Sequence, residues 1–275
     1  MKLLRSLTKA LLLAMFLVFA LFPLFWILIT SLKGGQEIYA FPVRYWPQTP
    51  TFDNYRYLFR ISDFSIYFRN SLVVSLVASV GAMIISVFSG YALSRMRSRR
   101  PKFVLLLAMY FTQIIPTYML MSPLFISLAK IGMTDSLIGI TFAYVSMMIA
   151  FSTIMAKSFF DRIPVALEEA AMTEGCTRTQ TIFRIILPLT LPGLAAIFSF
   201  AFVNIWNELF LAVMLLSSNH KMTVPVALNS FISKAGVNWG VLSAGIVVAL
   251  LPTMIVFAFA QKFIIMGLTE GAVKG

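Results

Sequence analysis

The stretch EEAAMTEGCTRTQTIFRIILPL, Glu168 to Leu189, sets two adjacent carboxylates at the head of a polar segment in an otherwise oily chain. Paired carboxylates do acid–base work when they face one another across a substrate-sized gap. Glu168 and Glu169 do not have that spacing. Pro164 suits the first turn of a helix, where its missing N–H costs nothing. The alanines and glutamates of 164–174 are strong helix formers. Sequence neighbours on a helix point about 100° apart, so the pair cannot converge on one atom. Other chemistries fail as well. The one histidine, His220 in SSNHK, reads as a solvated loop residue and cannot build a histidine-rich metal or haem site. Neither a Gly-x-Ser-x-Gly elbow nor a Gly-x-x-x-x-Gly-Lys-Ser/Thr phosphate loop occurs. The expectation is a chain with no catalytic site, no metal and no ATP site of its own.

The elements that must carry this segment are membrane spans. Of 275 residues, 60% are hydrophobic and 12% charged, about half the charge of a soluble domain, so the surrounding solvent is lipid. Charge-free windows cover 10–32, 70–94, 103–129, 136–156, 185–207 and 235–261. Each is long enough for a helix of about 20 residues to cross the hydrocarbon. The fifth is shifted, because Pro188 and Pro192 crowd its start while the apolar run continues past Glu208. The predicted fold is all-α, a single transmembrane domain over 1–275. Its six spans lie near 10–32, 70–94, 103–127, 136–156, 190–216 and 240–262, with a tail at 263–275. The first window follows Lys2, Arg5 and Lys9 but lacks an Ala-x-Ala cleavage site and is long for a signal, so it reads as a retained span. With both termini inside, 14 of the 22 Lys and Arg fall on the cytoplasmic side, five of them in Arg95–Lys102. The net charge of +12 is therefore a topology signal and not a nucleic-acid footprint.

In this frame the segment 157–188 is a cytoplasmic loop. Gly175 reads as a left-handed turn between two short helices on the membrane face. The second helix opens on the capping-box pattern Thr177-x-x-Gln180 and continues with Ile182, Ile185, Ile186 and Leu189 at helical spacing. The first has a thin apolar stripe, and its alanines allow close approach. Four acidic residues from Asp161 to Glu174 would be repelled by an anionic inner leaflet. Docking onto a protein is the better reading than lying on lipid.

Asn204, Asn207 and Glu208 stand at i, i+3 and i+4, sharing one face of a continuous fifth helix. Glu208 is the one acid inside an apolar span. The three residues either line a path for hydroxyl-rich solutes or lock neighbouring helices together. Residues 41–55, FPVRYWPQTPTFDNY, suit an ordered aromatic loop at the outer interface.

Glu169-Ala170-Ala171, Gly175, Ile185 and Leu187-Pro188 form the ungapped run EAA-x3-G-x9-I-x-LP. This resembles the EAA loop of permease subunits of ATP-binding-cassette importers. FPVRYWPQTPTFDNYRYLF, NIWNELFLA and QKFIIMGLTEGAVKG resemble the carbohydrate-uptake, maltose-type branch. The resemblance implies coupling to a separate ATPase through Glu168, Glu169, Ala170, Ala171, Gly175, Leu187 and Pro188, with Glu169 meeting a basic group. It also implies two ATP-binding subunits, a second permease subunit and an extracytoplasmic solute-binding protein, in a bacterial or archaeal inner membrane. Where the family often has Asp and Ala around the glycine, this chain has Glu174 and Cys176. A self-sufficient secondary carrier or channel is the alternative, although a proton-coupled carrier should show more intramembrane carboxylates or histidines.

Overall fold

The computed structural model describes residues 2–60, 63–233 and 236–272. Along the chain run α1 (Lys2–Ser31), α2 (Gly35–Ile38), α3 (Asp53–Arg60), α4 (Phe64–Arg95), α5 (Arg99–Ile114) and α6 (Thr117–Lys130). Then come α7 (Leu137–Phe160), α8 (Val165–Thr173), α9 (Arg178–Thr181), a π-helical turn at Ile182–Ile186, and α10 (Leu187–Trp206). The last are α11 (Phe210–Leu215), α12 (Val224–Ser230) and α13 (Trp239–Ala272), with the short strands β1 (Ile232–Ser233) and β2 (Gly236–Val237) between α12 and α13. Five helices are long and apolar enough to cross a membrane, or six if the bent pair α5–α6 counts as one crossing.

The chain forms two compact units, Met1–Phe68 with Val226–Leu251 and Arg69–Pro225 with Pro252–Gly275. In the first, only 6% of the most apolar window of α1 is buried, so nearly all of its side chains face outward, as lipid permits. Its C-terminal end is tied down. Asn54 donates its amide to the carbonyls of Ser31 (2.9 Å) and Lys33 (2.8 Å), and Tyr45 and Trp46 pack edge-on against Trp26 and Phe25. The aromatic loop thus packs back on α1 through Tyr45 and Trp46. The predicted C-terminal tail continues α13 as helix to Ala272, and residues 273–275 lie outside the described residues.

In the second unit, α4 lays small residues against α7. A Cβ on Gly90 would stand 2.6 Å from that of Ala156, closer than carbon atoms can approach, and Ser89 and Thr153 share a 2.8 Å hydrogen bond. Val87, Ala156, Phe160, Ile186 and Ile197 form a buried cluster that gathers α4, α7, the π turn and α10.

Two predicted spans differ from the observed ones. The span expected at 103–127 is not continuous: α5 and α6 meet at 101°. Ile115 is extended (φ −72°, ψ 119°), because Pro116 disfavours helix in the residue before it and supplies no N–H of its own. The span expected at 190–216 instead runs from Arg178 to Trp206, and the apolar run beyond it forms the separate helix α11. The fourth and sixth spans fall close to their charge-free windows.

Candidate functional site

The helix around the paired carboxylates is built by local signals. Pro164 caps α8, and Glu174 closes it. Gly175 takes φ +91°, and its N–H and that of Cys176 donate back to the carbonyls of Met172 (3.1 Å) and Ala171 (3.0 Å). This crossed pair satisfies carbonyls left free by the last turn and needs a left-handed residue at that position. The predicted capping box forms: the Gln180 N–H donates to the Thr177 hydroxyl at 3.3 Å, and the Thr177 N–H to the Gln180 side chain at 2.8 Å.

The second helix does not end on the membrane face as expected. It passes through the π turn into α10, where Leu187 donates its N–H to Ile182, five residues back. The wider turn accommodates Pro188, which cannot donate to the helix behind it. Ile186 is fully buried in the cluster and Leu187 packs against it, while Pro188 and Leu189 are exposed.

The adjacent carboxylates part company. Glu168 is 7% exposed. It accepts from Arg95 Nε at 2.6 Å and from the Tyr91 hydroxyl at 2.8 Å. Glu169, Ala170 and Glu174 are exposed and Ala171 is buried. Asp161, although exposed, is also held within the chain, accepting from Ser94 at 2.7 Å and pairing with Lys157. Beside α8 lies a cavity of about 580 Å³, whose lining includes Arg95, Arg97, Glu169, Met172 and Arg178. Acidic, basic and apolar side chains thus share this cavity.

Asn204, Asn207 and Glu208 do not form the expected ladder. The helix stops at Trp206, with Asn207 at its C-cap (φ −90°, ψ 0°). Glu208 lies in the break, where its carboxylate accepts the N–H groups of Leu211 (2.9 Å) and Ala212 (3.2 Å) at the start of α11, and the Tyr144 hydroxyl at 2.7 Å. The three do not share one continuous helical face, because the helix ends at Trp206 and Glu208 opens the next one. Asn204 and Asn207 are exposed, and each returns its amide to a carbonyl four residues back, Phe200 and Val203. None of the three lines the nearby cavity that Leu211 helps to enclose. That cavity, of about 640 Å³, lies at the α5–α6 elbow, and its polar lining includes Thr112, Gln113, Thr117, Ser127 and Ser146. Only Gln113 and Thr112, just before Pro116 in an apolar run, hinted at it. His220 is exposed, as expected of a loop residue. Among the described residues no three His, Cys, Asp or Glu side chains gather as a metal site.

Residues 82–267 match the family described as the inner membrane component of binding-protein-dependent transport systems. The chain belongs to that family. This permease is 38% identical to the inner membrane ABC transporter permease protein YcjP of Escherichia coli, covering 96% of this chain and 94% of the relative. It is 34% identical to the sulfoquinovosyl glycerol transport system permease protein SmoH of Agrobacterium fabrum (94% and 90% covered). With the diacetylchitobiose uptake system permease protein DasC of Streptomyces coelicolor it shares 32% (92% of each). Its fold is similar to that of a bacterial ABC transporter involved in the import of the acidic polysaccharide alginate. The TM-score is 0.82 at 26% identity, covering 95% of this chain and 96% of the other. The permease is a membrane-spanning subunit of an ATP-binding-cassette importer and not an enzyme.

Proposed function

We propose that this permease passes a saccharide or polyol-like solute across the inner membrane and takes its driving motion from a separate ATPase docked on α8. The docking reading rests on one observation: of two adjacent carboxylates, Glu168 is held inside the chain while Glu169 stands free beside the exposed Ala170. An alanine face lets a partner approach closely, and Glu169 and Glu174 offer charge to its basic groups. Gly175, Leu187 and Pro188 shape the turn and the entry into α10. Both termini and the loop 157–188 lie on the cytoplasmic side in this reading, in keeping with the basic residues concentrated there. The remaining partners are two ATP-binding subunits, a second permease subunit and an extracytoplasmic solute-binding protein. ATP is bound by the ATPase subunits.

The solute class is supported by the relatives named for a sulfoquinovosyl glycerol, a chitobiose derivative and alginate. The elbow cavity, a mostly apolar hollow that carries five polar side chains, is the better candidate in this chain for the path, ahead of Asn204, Asn207 and Glu208. Glu169→Lys, expressed with the partner subunits, is expected to lose co-purification of the ATPase while still inserting into the membrane. Full co-purification would remove the docking role. Purified complex with its binding protein, screened against mono-, di- and oligosaccharides and polyols, is expected to raise its ATPase rate with a saccharide or polyol alone.

A further inference from the structure

We infer that Arg95 and Tyr91 are the link by which displacement of α8 reaches the α4 span, and that Glu168 is reserved for that internal link and not for the partner. This rests on the docking reading of α8. Every nitrogen of the Arg95 guanidinium is engaged within the chain. Nε donates to Glu168 at 2.6 Å, Nη1 to the Phe160 carbonyl at 3.2 Å and Ser94 Oγ at 3.1 Å, and Nη2 to the Ile163 carbonyl at 3.1 Å. One side chain at the end of α4 thus holds the last residue of α7, the α7–α8 connection and the first turn of α8. Tyr91, one turn earlier, adds its hydroxyl to the other Glu168 oxygen and stacks its ring edge-on against Phe160, with centroids 5.5 Å apart.

The ion pair is well suited to carry a displacement. Its two side chains are 16% and 10% exposed, so water and salt screen it weakly. Removing either partner leaves the other charge buried and uncompensated. A second connection runs parallel to it, from Ser94 to Asp161 and on to Lys157. Gly90 also lets α4 touch the α7 backbone, where its Cβ position lies 2.8 Å from the Lys157 nitrogen. On the far side of α8 the chain leaves through Gly175, whose Cβ position has no heavy atom within 4 Å. The helix is bonded to α4 on one side and continues through the hydrogen-bonded Gly175 turn on the other. Movement imposed at Glu169 therefore passes to α4 and α7 together. Arg95 and Tyr91 are positioning residues and touch neither solute nor nucleotide.

The test uses the whole complex, with ATPase, second permease and binding protein, in lipid nanodiscs, and ATP with vanadate as the probe. A cysteine replaces Arg69, exposed at the outer part of α4, in a Cys176→Ser background, and its rate of reaction with a maleimide is followed. ATP with vanadate is expected to change that rate several-fold in the parent complex. In Arg95→Gln the change should disappear while the ATPase still co-purifies and hydrolyses ATP. The exchanged pair Arg95→Glu with Glu168→Arg should recover at least part of it. Tyr91→Phe, which keeps the ring and the ion pair, should give an intermediate change, and it decides the matter if Arg95→Gln fails to insert. An unchanged response in Arg95→Gln or Tyr91→Phe, or no response in the parent, overturns the link. Loss of the ATPase from inserted Arg95→Gln also overturns it, by placing Arg95 and Glu168 in the docking surface. The docking reading fails separately, if Glu169→Lys retains the ATPase.

Discussion

The Tyr144 hydroxyl donates a 2.7 Å hydrogen bond to the Glu208 carboxylate, joining α7 to the break between α10 and α11, 64 residues away. The same carboxylate accepts two N–H groups from the first turn of α11, those of Leu211 and Ala212. Glu208 thus caps a helix start inside an apolar region, where unsatisfied N–H groups are costly. Glu208→Gln keeps an acceptor and should be mild. Glu208→Ala removes the acceptor for three donors and should cost about 2 kcal/mol. Thermal unfolding in detergent should rank the midpoints wild type, Gln, then Ala, and equal midpoints would contradict the capping role.

Gly90 is required by contact and not by backbone angle. Its Cβ position lies 2.6 Å from the Ala156 Cβ and 2.8 Å from the Lys157 nitrogen, and neither atom belongs to a flexible side-chain end. Gly90→Val should force α4 and α7 apart at a cost of about 3 kcal/mol. Gly90→Ala should cost less, and both should appear as lowered unfolding midpoints.

Gly175 presents the opposite case. Nothing lies near its Cβ, so any penalty comes from φ +91° alone. Gly175→Ala is expected to destabilise the α8–α9 turn by about 1 kcal/mol, and Gly175→Val by more. Hydrogen exchange of the Gly175 and Cys176 amides should rise in both variants while α4 stays protected.

Asp135 joins the α6–α7 loop to residues 217–221. The Ser218 hydroxyl (2.5 Å) and N–H (3.0 Å), the Lys221 ammonium (3.0 Å) and the Ser217 N–H (3.0 Å) all donate to it. These donors, led by the Ser218 hydroxyl, hold its carboxyl well below the usual carboxylate value of 3.8. A depressed folded value means the contribution is fully present above that usual value and is lost as the pH falls through the lowered one. The loop 215–222 should keep its amide protection through pH 4 in wild type. Asp135→Asn should lose protection at neutral pH with no further dependence on acid.

What the residues determined alone is chiefly what is local. Charge-free runs located the helices because lipid excludes charge along any length of about 20 residues. Pro164, Gly175 and the Thr177–Gln180 box set the ends of α8 and α9 because caps and left-handed turns are settled within a few residues. The EAA run, read in order, indicated the family.

Tertiary structure decided the rest. Adjacency gave no reason to prefer Glu168 or Glu169 for the surface; Arg95, 73 residues earlier, takes one of them inward. Pro116 disfavours helix at the residue before it, yet an isolated proline does not set a 101° elbow or the cavity behind it. Glu208 looked like part of a helical face, but its carboxylate opens a new helix and is fixed by Tyr144 from another span. Helix ends follow from neighbouring residues, whereas the burial of a charge depends on which distant partner the fold delivers to it.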